Sequence, residues 1–326
     1  MGIGQVGIAL AALLLTTVGT VPADAGDAPW RHGIIEAKSD AGIFMMVTRG
    51  FAEKQGLKLE IVQFKTDIIG LQALLAGEVQ SFEGGPSASL TAAARGADVK
   101  FVGCHWPGLP HGIFVRGDIA SVQDLKGKTF AISAPGASPD VVARALLAGS
   151  GVPASEIRFA NLGSDLDRFK ALSAGIVDAT VASSEYVPIA EKQGIRLLVA
   201  AREILPNYMR LCIFSAGKTL SARRDEAIRF VAAEMTALRY ALSHRDETLQ
   251  LTREVAGAKP EDKRPEYIFD DTVRSAGVDP TLAIPLEKLE WMEQQLLKDG
   301  ILPRPFDLTK MIDGGVRAKA LELAGN

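Results

Sequence analysis

The amino-acid sequence predicts an α/β protein of two lobes, each a mixed sheet flanked by helices. Three observations carry this. Apolar runs of strand length alternate with runs of helical period over roughly the first two hundred residues. The segment Leu74-Leu-Ala-Gly-Glu-Val-Gln80 is echoed ninety-eight residues later by Leu172-Ser-Ala-Gly-Ile-Val-Asp178, each passing from a helical pattern through a glycine into a strand-like one. A length of 326 residues with 47% hydrophobic content and a formal net charge of -3 describes an ordinary globular protein that could hold one large or two medium domains.

In order along the chain, His32 to Ala37 reads as a strand, Ala41 to Gln55 as a helix closed by Gly56, and Leu57 to Phe64 as the next strand. Ile68 to Ala76 is helical, Gln80 to Glu83 a short strand, Ser87 to Arg95 a helix stopped by Gly96, and Val99 to Cys104 a strand. His111 to Arg116 is apolar and extended, after which the pattern restarts: strand Thr129 to Ser133, helix Pro139 to Ala148, strand Ile157 to Ala160, helix Leu166 to Ala174. Strand Ala179 to Ala182, helix Val187 to Lys192 and strand Arg196 to Ala200 complete the second lobe. Met209 to Ser215 is a second extended crossing, and the chain beyond Ser221 is mostly helical, with Arg223 to Ser243 a long amphipathic stretch. If those helices pack back on the first lobe, that lobe is discontinuous (26–115 and 216–326), the second is 116–215, and the crossings form a hinge.

Residues 1–25 are set apart as a signal peptide. Val6 to Val21 is uncharged and rich in Leu, Ala and Val, and Ala23-Asp24-Ala25 supplies the small-x-small cleavage pattern, although no Lys or Arg precedes the run. Sixteen residues at about 1.5 Å each are short for a bilayer span. The mature chain is therefore expected to begin near Gly26 as a soluble periplasmic monomer. Gly2-Ile-Gly-Gln-Val-Gly7 formally matches a dinucleotide fingerprint, but no strand precedes it and it falls in the segment to be removed.

Composition argues against several classes. There is no Lys/Arg block and aromatic residues are sparse, so nucleic acid is not an expected partner. Cys104 and Cys212 are the only cysteines; both lie in apolar strand-like runs, and two buried free thiols are preferred over a disulfide, which the compartment would permit. Four scattered His and two Cys show none of the ligand spacings used for zinc, so no metal and no cofactor are expected.

Five stretches carry a resemblance: Arg49-Gly-Phe-Ala-Glu-Lys-Gln-Gly-Leu-Lys-Leu-Glu-Ile-Val62, Leu71-Gln-Ala-Leu-Leu-Ala-Gly-Glu-Val79, Gly96-Ala-Asp-Val-Lys-Phe-Val102, Ser121-Val-Gln-Asp-Leu-Lys-Gly-Lys128 and Gly175-Ile-Val-Asp-Ala179. In this order they resemble the periplasmic solute-binding proteins that serve sulfonate, nitrate, taurine and thiamine-pyrimidine ABC transporters. The resemblance implies the bilobal periplasmic-binding-protein-like fold, a small-molecule ligand in the interlobe cleft and an ABC permease as partner. Two departures bear on the ligand: Gln80 stands where such proteins often carry Asp, and Ser184-Glu-Tyr-Val-Pro188 only partly matches their Glu-Pro-Tyr turn.

In open α/β sheets ligands bind beyond the carboxyl ends of the strands, where helix N-termini offer free N–H groups. That rule selects Asp40, Ala41 and Gly42, then Thr66 and Asp67, then Gly85, Pro86 and Ser87 in the first lobe. In the second it selects Ser133, Gly136, Ala137 and Ser138, and Ser183, Glu185 and Tyr186, with His105 and Trp106 near the hinge. Against this, Asp40, Ser87 and Ser138 could be helix caps only, the glycines could serve only turns, Trp106 could be core, and Asp67 and Glu83 could be solvated loop charges. The expected solute is a small polar or anionic organic molecule such as a sulfonate, nitrate, carboxylate or pyrimidine. The rival function is an enzyme on the same fold, either a pyrimidine synthase, for which the Cys cluster is missing, or a desulfinase using Cys104 beside His105.

Overall fold

The computed structural model describes residues 28–35, 41–106, 108–133, 135 and 138–325, without the side chains of Ala41 and Ser138. The expected signal peptide, Asp40, Gly136 and Ala137 lie outside the described residues. The first sheet contains β1 (Trp30–Ile34), β2 (Leu59–Gln63), β3 (Ser81–Gly84), β4 (Val99–Trp106) and β10 (Leu211–Ala216) in the order β2-β1-β3-β10-β4. The second contains β5 (His111–Arg116), β6 (Thr129–Ile132), β7 (Arg158–Asn161), β8 (Ala179–Ser183) and β9 (Ile195–Ala200) in the order β7-β6-β8-β5-β9. In each sheet one strand is antiparallel to its two neighbours, β10 in the first and β5 in the second.

These two antiparallel strands are the crossings, and their sheet membership corrects the expected domain borders. His111–Arg116 is an interior strand of the second lobe and Leu211–Ala216 an interior strand of the first. The chain leaves the first sheet after Trp106 and leaves the second lobe only after Leu205, which still packs in that lobe's core. The physical reason is pairing: each crossing strand is hydrogen-bonded on both sides, which a free hinge strand is not.

The two lobes repeat one another with a constant shift of ninety-eight residues. Trp30 to Ile34 pairs in register with Leu59 to Gln63, and Thr129 to Ile132 pairs with Arg158 to Asn161, so that Arg31↔Glu60 recurs as Thr129↔Arg158. His32↔Ser81 likewise recurs as Phe130↔Ala179. Helix α2 (Asp67–Ala76) is capped by the Thr66 side chain, which accepts from Ile69 N, and ends at Gly77 with φ 87°. Its counterpart in the second lobe is capped by Ser164, accepting from Asp167 N, and is followed by Gly175 with φ 70°. Only glycine takes such a backbone without cost, which is why the echo centres on it. Leu74 and Leu172 are both fully buried, worth about 1.5 to 3 kcal/mol each.

Of the other helices, α1 spans Ala41–Thr48, α3 Pro86–Ala94, α4 Ser138–Gly149 and α5 Asp165–Ser173. The expected helix from Ala41 to Gln55 is broken at Gly50, which sits at φ 65°. In the carboxy-terminal third, α6 (Arg224–Ser243) lies across the first lobe and shares a core with Trp30, Met46 and Ile213. Helix α7 (Arg245–Ala256) follows it, and α8 (Arg264–Arg274) reaches the second lobe, where Asp271 accepts from Arg202 at 3.0 and 3.3 Å and from Arg274 at 2.8 Å. Helix α9 (Leu286–Lys298) and the terminal α10 (Gly314–Ala324) return to the first lobe. No helix among the described residues is long and apolar enough to cross a membrane.

Cys104 and Cys212 face each other across β4 and β10 and form a disulfide, with Cα atoms 3.9 Å apart. This overturns the expectation of two free thiols. Sequence separation hid it: the two cysteines stand 108 positions apart in the chain, with the second-lobe sheet between them.

Candidate functional site

Strand direction places the site. The chain leaves the first sheet at Trp106, the carboxyl end of β4, and enters the second at His111, beside the carboxyl end of β8. A connection this short spans at most about 18 Å, so the carboxyl ends of both sheets face one another across the gap between the lobes.

On the first wall, Asp67 opens α2 and its Oδ1 accepts the Gly85 N–H at 2.8 Å. Gly84 is required here, because a Cβ on it would lie 2.5 Å from Asp67 Oδ1 and 2.6 Å from the Phe82 ring. Asp67 is half-buried and bonded, which corrects its reading as a solvated charge, and the Gly85 N–H is committed to it. Pro86 and Ser87 form the first turn of α3 and Thr66 serves as a cap. Trp106 is the last strand residue, held by pairing to Leu211, and not part of a following loop; it is 8% exposed, and the Arg210 guanidinium lies 4.6 Å from its ring.

The second wall repeats the device. Asp165 opens α5 and its Oδ2 accepts the Ser183 N–H at 2.9 Å, while His111 Nε2 lies 3.9 Å from the same oxygen. Arg168, fully buried, bonds Asp165 and donates to Val181 O at 3.0 and 3.1 Å, fixing the carboxylate from behind. Ser183 accepts from Glu185 N at 3.5 Å, opening the tight turn Ser184–Tyr186. Tyr186 is 4% exposed and stacked on Phe169 at 4.5 Å, so its face serves the core. Above it lies Arg264 of α8, whose guanidinium pKa is raised by its hydrogen bonds to Asp262 and further by Glu185. Half-buried Ser133 directly follows β6, and Gly42 and Ser138 stand at the amino ends of α1 and α4.

The geometry thus gathers Asp67, Gly85, Pro86 and Trp106 on one side and Ser183 and Glu185 on the other. Sequence reasoning missed Arg210, His111, Asp165 and Arg264. The signal for Asp165 was present, since shifting Asp67 by ninety-eight residues lands on it. Gln80 leaves the site altogether: its Oε1 accepts Arg31 N at 2.8 Å at the amino end of the sheet, as Asp178 Oδ2 accepts Thr129 N at 2.9 Å in the second lobe.

His105 is not at the cleft surface. It is 1% exposed inside the first lobe, with Nε2 3.5 Å from Glu83 Oε2 and Nδ1 3.3 Å from Glu234 Oε1 of α6. His32 Nε2 lies 4.0 Å from the same Glu83 oxygen. Glu83, at 3% exposure, is therefore a buried group and not a loop charge. Burial, and after it the neighbouring His105, pull the His32 pKa down to about 3, so this imidazole is neutral at ordinary pH. Nothing in the spacing of four His foretold the cluster, but Glu234 stands on the buried stripe of Ala227, Val231, Leu238 and Ala241, an unusual place for a carboxylate.

Comparison with known proteins fits this architecture. The NMT1/THI5-like family profile matches residues 38–248, well over half of the chain. The chain belongs to the NMT1/THI5-like family. Among solved structures, this NMT1/THI5-like chain is similar to the periplasmic aliphatic sulphonate binding protein from Escherichia coli, with TM-score 0.72, 22% identity and coverage of 87% of this chain and 92% of that one. It is also similar to the alkanesulfonate-binding protein from Xanthomonas axonopodis pv. citri bound to MOPS (TM-score 0.68, 21% identity, 87% and 98% covered). A third similarity is to the desulfurization enzyme DSZB (TM-score 0.67, 17% identity, 90% and 99% covered). No curated protein matches the chain in sequence.

Proposed function

We propose that this protein is the exported solute-binding component of an ABC importer, capturing a small polar organic molecule between its lobes and handing it to a membrane permease. The observation that carries the reading is the mirrored pair of turns, Asp67 with Gly85 and Asp165 with Ser183, facing each other from the carboxyl ends of two sheets. Both signs of charge stand nearby: Arg210 and Arg264 against Asp67, Asp165 and Glu185, with the His111 imidazole beside Asp165. Such a cleft suits a solute with an anionic group and a donor or heterocycle beside it, the class that spans sulfonates, carboxylates, nitrate and pyrimidines. Periplasmic location, a monomeric state and a cleaved leader belong to the same proposal.

The desulfinase alternative loses its sequence candidate. Cys104 is bonded to Cys212, and His105 faces two carboxylates within the lobe, so this pair offers no thiolate beside a base. A thermal-shift screen of sulfonates, carboxylates, amines and pyrimidines tests the binding reading. A ligand at one hundred times its Kd adds about 2.7 kcal/mol of stability. A class that raises the melting midpoint without being consumed supports the proposal; turnover of any of them sinks it.

A further inference from the structure

We propose that His32, Glu83, His105 and Glu234 form a divalent metal site sealed inside the first lobe, suited to Zn²⁺ or a similar first-row ion. The four residues come from β1, β3, β4 and α6, and all are 3% exposed or less. One donor atom from each of Glu83, His105 and Glu234 lies within 4.8 Å of the others. Nitrogen and oxygen ligands at about 2.0 to 2.2 Å from a tetrahedral ion stand about 3.3 to 3.6 Å apart, and His105 Nε2 is 3.5 Å from Glu83 Oε2. Glu234 Oε1 stands 3.3 Å from the other ring nitrogen of His105, Nδ1, so loading requires the His105 ring or the Glu234 side chain to turn until both carboxylates share one imidazole nitrogen.

His32 supplies the independent indication. It is fully buried, and its Nε2 has no hydrogen-bond partner among the described residues while pointing at Glu83 from 4.0 Å. Its other nitrogen is fixed: Nδ1 lies 2.8 Å from Ser81 Oγ, which also accepts the Trp30 indole N–H at 2.8 Å. In the tautomer that donates Nδ1–H to Ser81, the Nε2 lone pair faces the cluster. Holding a ligating imidazole through its second nitrogen is the usual outer support of a metal site. Two carboxylates in one buried pocket also call for positive charge, and a dication answers it where one imidazolium would leave a net negative site. Imidazole and carboxylate donors suit zinc and its neighbours better than calcium.

The test uses the whole purified protein, unfolded in guanidinium with EDTA and refolded with or without Zn²⁺ or Co²⁺, then desalted for metal analysis. The proposal expects about one ion per chain, visible bands of four-coordinate Co²⁺, and a higher melting midpoint for the loaded protein. Ser81→Ala, which leaves all four ligands in place, should weaken the metal by about 10- to 100-fold, and Glu234→Gln should abolish stoichiometric loading. Wild-type protein that refolds without retaining either ion, or a Glu234→Gln variant that loads like wild type, overturns the site. Neither result depends on the solute, so the metal proposal and the transport reading fail separately.

Discussion

Asp67 and Asp165 each hold the peptide N–H that begins the turn after a central strand, at 2.8 and 2.9 Å. A charge-assisted bond of this kind, when its acceptor is deleted, costs about 1 to 3 kcal/mol. Asp165→Ala should lower urea stability more than Asp67→Ala, because it also leaves the buried Arg168 guanidinium without its carboxylate, and losses equal within about 0.5 kcal/mol would show that the carbonyls of Val181 and Gly163 alone satisfy Arg168. The glycines at 77 and 175 are legible in the sequence because the backbone there demands that residue type, whereas the caps Thr66 and Ser164 show only in the structure. Gln80 was misjudged for the opposite reason. An amide oxygen and a carboxylate oxygen accept one backbone N–H equally well, so the change at that position is silent for the ligand. The strand pattern in the sequence stops at Cys104, whereas pairing with β10, a partner from a hundred residues away, extends β4 to Trp106.

Between elements, Asp313 ties the start of α10 to β4 and α6. Its N–H donates to Phe101 O of β4 at 2.9 Å, its side chain caps α10 by accepting Val316 N, and both its oxygens take Arg224 of α6 at 2.7 and 2.8 Å. The Arg224 hydrogen bonds hold the Asp313 carboxyl below the usual carboxylate range. A carboxyl whose pKa is lower in the folded than in the unfolded chain adds stability above its unfolded pKa of about 4, and that stability is lost as pH falls through the folded value. Arg224 is 42% exposed, so solvent weakens the effect. Asp313→Asn keeps a capping oxygen and removes the titration. Urea melts from pH 7 to pH 3 should show a shallower acid loss in the variant, and identical slopes would place the acid sensitivity elsewhere. Alternation and periodicity foretold most of these elements; the partners of the carboxy-terminal helices, set by tertiary packing, left no such trace.

For the whole molecule, the disulfide closes a loop that contains the second lobe entire. Cross-linking about 100 residues stabilises a fold by about 4 to 5 kcal/mol on a chain-entropy basis. The double variant Cys104→Ala with Cys212→Ala should lose a large part of that in urea, and a variant as stable as wild type would show that packing alone secures the two crossings. The same crossings bring Arg210 to one wall of the cleft, while Glu185 stands on the other. Isothermal titration calorimetry of the screened solute, on wild type and on Arg210→Ala and Glu185→Gln, decides whether the solute is held between the lobes. Capture there gives one solute per chain and binding weaker by about tenfold or more in each variant, a loss of at least about 1.4 kcal/mol, with melting midpoints unchanged in the absence of solute. Wild-type affinity in both variants would contradict capture between the lobes.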